Sequence, residues 1–209
     1  MTKSSLNHPI VEQSFAIIDQ EIGEHNLNSL EYAIARRVIH STADFDFIKL
    51  LKFSPDAIQS GINSLQQKTP IITDVTMVKQ GIVNLVRKTF NNPIITAVEA
   101  ASQPLPGKTR TETGLLTCFE TYPNGIYVIG NAPTALLALC QQITAKNSKP
   151  SLIIGAPVGF VSVLESKQAL TKIDVPKILV EGRKGGSSVA AAIINALLVL
   201  GWESKQSLL

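Results

Sequence analysis

GIYVIGNAPTALLALCQQITAKNSKPSLIIG, residues 125–155, decides how the chain is read. It begins with a short β-branched run, GIYVIG at 125–130, and ends with another, SLIIG at 151–155. Between them lies PTALLALCQQITAK, a helix-length segment with proline at its start, where the missing N–H is one the helix would not use. Strand, helix, strand at this spacing is a crossover unit, and a crossover requires parallel strands. The same grammar extends outward. PIIT at 70–73, PIITAV at 93–98 and PKILVEG at 176–182 are further short runs. TMVKQGIVNLVRKTF, TETGLLTCFETY, FVSVLESKQAL and SSVAAAIINALLVLG supply the helices. Residues 69–209 are therefore expected to form a mostly parallel sheet with helices on both faces.

Residues 1–68 read as mainly helical. Ile10, Ser14, Phe15, Ile17, Ile18 and Ile22 recur at helical spacing behind His8 and Pro9. Ser29 reads as the cap of a second helix through LEYAIARRVIHST, with Glu31 in its first turn. Ser54, Pro55 and Asp56 open a third, DAIQSGINSLQQK. No internal repeat appears, and 209 residues fit one domain.

Composition removes whole classes. With 44% hydrophobic residues the chain buries a sizeable core, and its 17% charged content fits buried parallel strands or a large subunit interface. A net charge of +3 with 5% aromatics gives neither a dense basic face nor a stacking platform, so no nucleic-acid partner is expected. The apolar stretches are broken by Asn, Gly, Pro or Thr short of the roughly 20 residues that span a bilayer. MTKSSLNHPIVEQ lacks the apolar core of a signal peptide. No membrane partner and a cytoplasmic location are expected. Cys118 and Cys140 read as buried thiols, and three scattered histidines give no metal site.

In parallel sheets ligands bind beyond the carboxyl ends of the strands. GRKGGSS, 182–188, follows the last strand there. Gly185, Gly186 and Ser187 offer a close-approach turn and helix-start amides for an anion, although a plain flexible turn needs the same glycines. It matches neither a P-loop nor a dinucleotide fingerprint. Asn131 sits in GNAPT at another strand-to-helix junction, which also reads as a simple helix start. Lys108 and Arg110 stand where a helix begins, a position unfavourable to cations unless an anion faces them or the loop is simply solvated. On the second helix, Arg36, Arg37 and His40 are three and four residues apart and share a side. Two guanidiniums depress the pKa of a neighbouring imidazole, and an anionic ligand restores it, which suits a general acid. The alternative is a solvent-facing helix with unconnected charges.

Several blocks together carry a family resemblance: HPIVEQSFAIID at 8–19, RRVIHSTADFDF at 36–47, TDVTMVKQGI at 73–82, GKTRTETG at 107–114, VIGNAPTALL at 128–137, GAPVGFVSVLESK at 155–167 and GRKGGSSVAAAIINAL at 182–197. In consistent order over nearly the whole chain, they resemble the precorrin-8X methylmutases, including the cobalt-precorrin-8 form. The resemblance implies an isomerase of cobalamin biosynthesis that moves a methyl group from C-11 to C-12 of a corrinoid ring, giving hydrogenobyrinic acid or its cobalt counterpart. It implies no redox cofactor, nucleotide or metal. It implies a flavodoxin-like α/β/α sandwich and a homodimer, with the ring handed to neighbouring corrin-pathway enzymes. His40 falls on the family's proton donor. Ser14 and Arg37 fall on its substrate contacts, as does Arg110 in the T-R block. Thr111 and Glu112 depart from the small residues family members often carry there.

A macrocycle fringed with carboxylates wants an apolar slot with scattered cations and amides, which Arg36, Arg37, Lys108, Arg110, Asn131 and the 185–187 turn would supply. Two other readings share the sequence. One is a flavodoxin-like protein holding a phosphate-bearing cofactor such as FMN on its GNAPT and GRKGGSS turns. The other is a corrinoid carrier without catalysis.

Overall fold

In the computed structural model, which describes residues 6–206, six strands form one sheet: β1 (Leu51–Phe53), β2 (Ile71–Thr73), β3 (Ile94–Thr96), β4 (Ile126–Ile129), β5 (Leu152–Gly155) and β6 (Lys177–Val180). Their order is β1-β6-β5-β4-β2-β3. The central strands β2, β4 and β5 are buried on both faces. Every pair is parallel except β1 with β6. Of the parallel strands, β2 and β4 are neighbours while β3 lies outside them, so the winding direction reverses between β2 and β4. That reversal is the switch point of a doubly wound sheet.

The helices are α1 (Pro9–Glu21), α2 (Ser29–Thr42), α3 (Phe47–Leu50), α4 (Ala57–Gln66), α5 (Thr76–Lys88), α6 (Ala97–Ala100), α7 (Arg110–Thr121), α8 (Pro133–Lys146), α9 (Val163–Thr171) and α10 (Ser187–Gln206). Alternate strand residues divide the core in two. Ile71, Ile126, Val128, Leu152, Ile154, Ile178 and Val180 face α4, α5 and α10, with α2 and α1 packed outside in the same core. Ile72, Tyr127, Ile129, Ile153 and Leu179 face α7, α8 and α9. The result is a three-layer α/β/α sandwich, as the alternation predicted.

Three sequence expectations change. The N-terminal third holds a strand, β1, which pairs antiparallel with the edge of the sheet; inside FIKLLKF, its three residues have no period of their own. The cap of α2 is Asn28, not Ser29. Asn28 Oδ1 accepts from the amides of Leu30 and Glu31 at 3.0 Å, and Glu31 Oε2 accepts from the Asn28 amide. This reciprocal box shifts the helix start by one residue. Finally, α10 is a helix of 20 residues, long and apolar enough to cross a membrane by length and composition. Its apolarity has another use here, because it packs against α2, α4 and α5 in the core.

Contacts at both ends fix how α2 lies on α10. Lys184, just before α10, holds Asp44 and Asp46, just after α2, at 2.7 and 2.6 Å. Arg36 and Arg37, earlier in α2, share a recess with Ala196, Val199, Leu200 and Glu203, later in α10. The two helices therefore run antiparallel, and the C-terminal end of α2 reaches the carboxyl edge of the sheet.

Candidate active site

His40 lies in the last turn of α2, where a cation would be favoured by the helix dipole. Its ring meets the ring of Phe15 on α1 edge to face, with centroids 5.6 Å apart. Ser14, Ile17, Ile18, Glu21, Ile39, Ala43 and Phe45 complete a recess of about 230 Å3 around it. His40 itself is exposed, and neither ring nitrogen meets a hydrogen-bond partner among the described residues. Burial, and then the Arg37 charge, hold its pKa below the ordinary histidine value. Ser14 donates its hydroxyl proton to the Ile10 carbonyl at 3.0 Å, leaving its lone pairs to face the recess.

Phe15 divides this recess from a second one of about 150 Å3 that holds both arginines. The Arg36 guanidinium stands 4.4 Å from the Phe15 centroid, and that of Arg37 5.5 Å. Arg36 is bridged to Asp19 at 2.7 Å, and Asp19 also accepts from the Tyr32 hydroxyl, whose pKa is pushed up to about 12 by burial and by that bond. Arg37 donates to Asn7 Oδ1 at 2.6 Å. Burial lowers the Arg37 pKa, while Glu12 pulls it back up and Arg36 adds to the lowering. One aromatic ring thus brings His40, Arg36 and Arg37 together, next to Ser14. Spacing alone could not show Phe15 in this role, although it directly follows Ser14.

The remaining predicted residues lie along the carboxyl edge of the sheet. Lys108 precedes α7 and Arg110 begins it; Thr109, the cap, contacts the Thr134 hydroxyl of α8 at 3.2 Å. That contact sets Lys108 and Arg110 near Asn131. Lys108 already has a partner, Glu112, at 2.5 Å. Its place at a helix start therefore needs no external anion. Arg110 is exposed and makes no ion pair among the described residues. Gly130, next to Asn131, abuts α10 so closely that a Cβ there would lie 2.9 Å from Ser187 Cα.

Two of the expected anion turns are changed by their own amides. At the GNAPT turn, the Asn131 and Ala132 amides donate to Asp74 Oδ2 at 2.6 and 2.8 Å, and Val75 donates to Oδ1 at 2.9 Å. Asp74 is fully buried at the switch point between β2 and β4. Burial pushes its carboxyl above the ordinary value while these amides pull it down. An internal carboxylate therefore occupies the place where a doubly wound fold would offer amides to a phosphate, which argues against the FMN reading. The side chain of Asn131 is exposed and can meet a ligand. At the 182–188 turn, the Gly186 amide donates to the Ala156 carbonyl at 2.8 Å and is likewise spent.

Apolar side chains crowd the same edge. Met77, Leu105, Val158, Phe160 and Val161 are all exposed, Phe160 by 86% and Val161 by 82%. A concavity of about 660 Å3 lies elsewhere, between α8 and α9, and contains none of the predicted site residues.

The layer order defines the class first: a doubly wound α/β/α protein. Within that class, the sequence profile of CbiC, precorrin-8X methylmutase, matches residues 9–200. The chain belongs to the precorrin-8X methylmutase family. It is 59% identical to the cobalt-precorrin-8 methylmutase of Synechocystis sp., over 94% of this chain and 97% of the relative. It is 39% identical to the precorrin-8X methylmutase of Pseudomonas aeruginosa, over 90% and 93%. The crystal structure of precorrin-8X methyl mutase from Thermus thermophilus superposes with a TM-score of 0.86 at 38% identity, over 94% of this chain and 99% of that one.

Proposed function

We propose that this chain is a methylmutase of cobalamin biosynthesis that moves the C-11 methyl of precorrin-8X or cobalt-precorrin-8 to C-12. The observation that carries the reading is His40: an imidazole with both nitrogens unclaimed, in a recess with Ser14, one ring away from two arginines. The reaction is an isomerisation. The C-11–methyl bond breaks as the C-12–methyl bond forms, the double bonds of the ring relocate, and nothing is added or lost.

His40 acts as the general acid. Alone, its pKa is depressed, so the recess carries less charge when empty. The carboxylates of the arriving macrocycle offset the positive field of Arg36 and Arg37, and the imidazolium becomes favoured as the ring is seated. It then protonates, or hydrogen-bonds to, a ring nitrogen beside the migrating methyl and draws electron density from the conjugated system. Ser14 accepts or relays one hydrogen bond. Arg37 and Arg110 hold carboxylates, with Asn131 and the turn at Gly185 and Ser187 as further contacts. Fixing the ring against His40 is a large share of the catalysis.

Neither small recess holds a corrinoid by itself, since ligand sites of this kind measure roughly 300–1,000 Å3. The exposed apolar edge supports the remainder of the site, with the macrocycle lying across it and a second copy of the chain covering it as a homodimer. Handing the ring to a neighbouring enzyme of the pathway would use the same open edge.

The deciding experiment is turnover by His40→Ala with both the metal-free and the cobalt-containing ring. Turnover should fall by about 10²–10⁴-fold, the range of general acid help, with ring affinity within about threefold of wild type. Retention of full turnover would remove His40 as the general acid, whereas absence of turnover by the wild type would return the protein to the carrier reading.

A further inference from the structure

Lys167, on α9, is only 3% exposed. Among the described residues the only other charged side chain so deeply buried is Asp74. An isolated buried ammonium is costly, and a buried lysine normally meets a carboxylate. Lys167 does not. Its Nζ donates to two backbone carbonyls, Gly182 at 2.7 Å and Lys184 at 2.8 Å. Burial pushes its pKa down to about 8.

Those two carbonyls belong to the turn between β6 and α10. In a trans peptide the C=O and the following N–H point in opposite directions, and no cis peptide is present among the described residues. Drawing the Gly182 and Lys184 carbonyls onto α9 therefore turns the amides of Arg183 and Gly185 the other way, out of the fold. Neither amide meets an acceptor among the described residues. The rest of the turn is fixed around them. Gly182, Gly185 and Gly186 have φ of 71°, 154° and 123°, values that favour glycine. A Cβ on Gly185 would lie 2.4 Å from the Ala156 carbonyl oxygen. Gly186 donates to that same oxygen, and Lys184 is held by Asp44 and Asp46.

We infer that Lys167 is a positioning residue for substrate capture, its ammonium holding the 182–186 turn so that the Arg183 and Gly185 amides present two parallel donors to one peripheral carboxylate of the macrocycle. This rests on the function proposed above and adds the residue that shapes one of its carboxylate contacts. Lys167 touches no substrate.

The test is Lys167→Met, which keeps the length and apolar stem of the side chain and removes its donors. Ring binding is read by the spectral change on adding hydrogenobyrinic acid, and turnover with precorrin-8X, well below the melting temperature of the variant. KM and the product Kd should rise by about tenfold or more, the worth of one charge-assisted hydrogen bond, while kcat stays within about threefold. An unchanged KM, or a kcat loss with KM unchanged, overturns the inference. If the variant does not fold, the 15N-labelled wild type decides. On adding product, the Arg183 and Gly185 amide protons should move downfield. Shifts at His40 and Ser14 with none at Arg183 and Gly185 would remove Lys167 from this role and leave the methylmutase reading standing. Absence of any response anywhere would remove both.

Discussion

Asp74→Ala removes an acceptor that three backbone donors share. Helix α8 has no side-chain cap of its own; its cap residue is Ala132, and the Ala132 and Asn131 amides are satisfied instead by Asp74, more than fifty residues earlier in the chain. Truncating the side chain leaves the Ala132 amide buried without an acceptor, while the amide of exposed Asn131 can turn to water. An unsatisfied buried donor costs about 1–3 kcal/mol, and a further lost hydrogen bond about 0.5–1.5 kcal/mol. With the Val75 bond lost as well, the total comes to roughly 2–4 kcal/mol, a large part of the 5–15 kcal/mol typical of a whole domain. Asp74→Asn separates charge from geometry. Its carbonyl oxygen can still take the Asn131 and Ala132 amides, but its NH2 then confronts the Val75 amide, so about 1–2 kcal/mol should be lost. The assay is urea unfolding followed by circular dichroism, with equal m-values required before the midpoints are compared. The order of stability should be wild type, Asp74→Asn, Asp74→Ala. An alanine variant within 1 kcal/mol of wild type would mean that water caps α8 just as well, and the reasoning would fail.

The contacts around His40 and the glycines predict further outcomes. If the imidazolium is the acting form, kcat/KM falls as pH rises through the free-enzyme pKa of His40, which lies below its ordinary value. Bound carboxylates oppose Arg37, so the corresponding fall in kcat should lie at higher pH; a kcat profile displaced to lower pH than kcat/KM contradicts the assignment. Gly114→Ala would place a Cβ 1.8 Å from the Ala97 carbonyl oxygen, where only backbone can give way, and should cost at least about 2 kcal/mol in urea unfolding. Gly201→Ala, with neighbours at 3.3 and 3.4 Å, should change stability by less than about 1 kcal/mol in the same measurement.

Much of the fold was readable from the chain because strands such as IYVI and LIIG are buried on both faces and so appear as unbroken apolar runs between glycines. What was not readable depends on distant partners. Asp74 follows a strand like any loop residue, and nothing nearby says that its partners are Asn131 and Ala132. Lys108 and Lys184 look like cations waiting for a ligand until Glu112, Asp44 and Asp46 are seen on them. The line Arg36, Arg37, His40 was legible as one helical side, but the ring of Phe15 that they share comes from another helix. Strand β1 is three residues long, pairs only at an edge, and has too little length to show a period.

The antiparallel seat of α2 on α10 also bears on synthesis. A ribosome delivers His40 early and α10 late, with about 145 residues between them. Until α10 emerges, Ile34, Ala35, Val38 and Ile39 lack the largest partner of α2 and have mainly α1 and α3 to pack against. Chaperones would meet this protein chiefly through that waiting segment, and the recess around His40 would reach its final seat only after α10 is made.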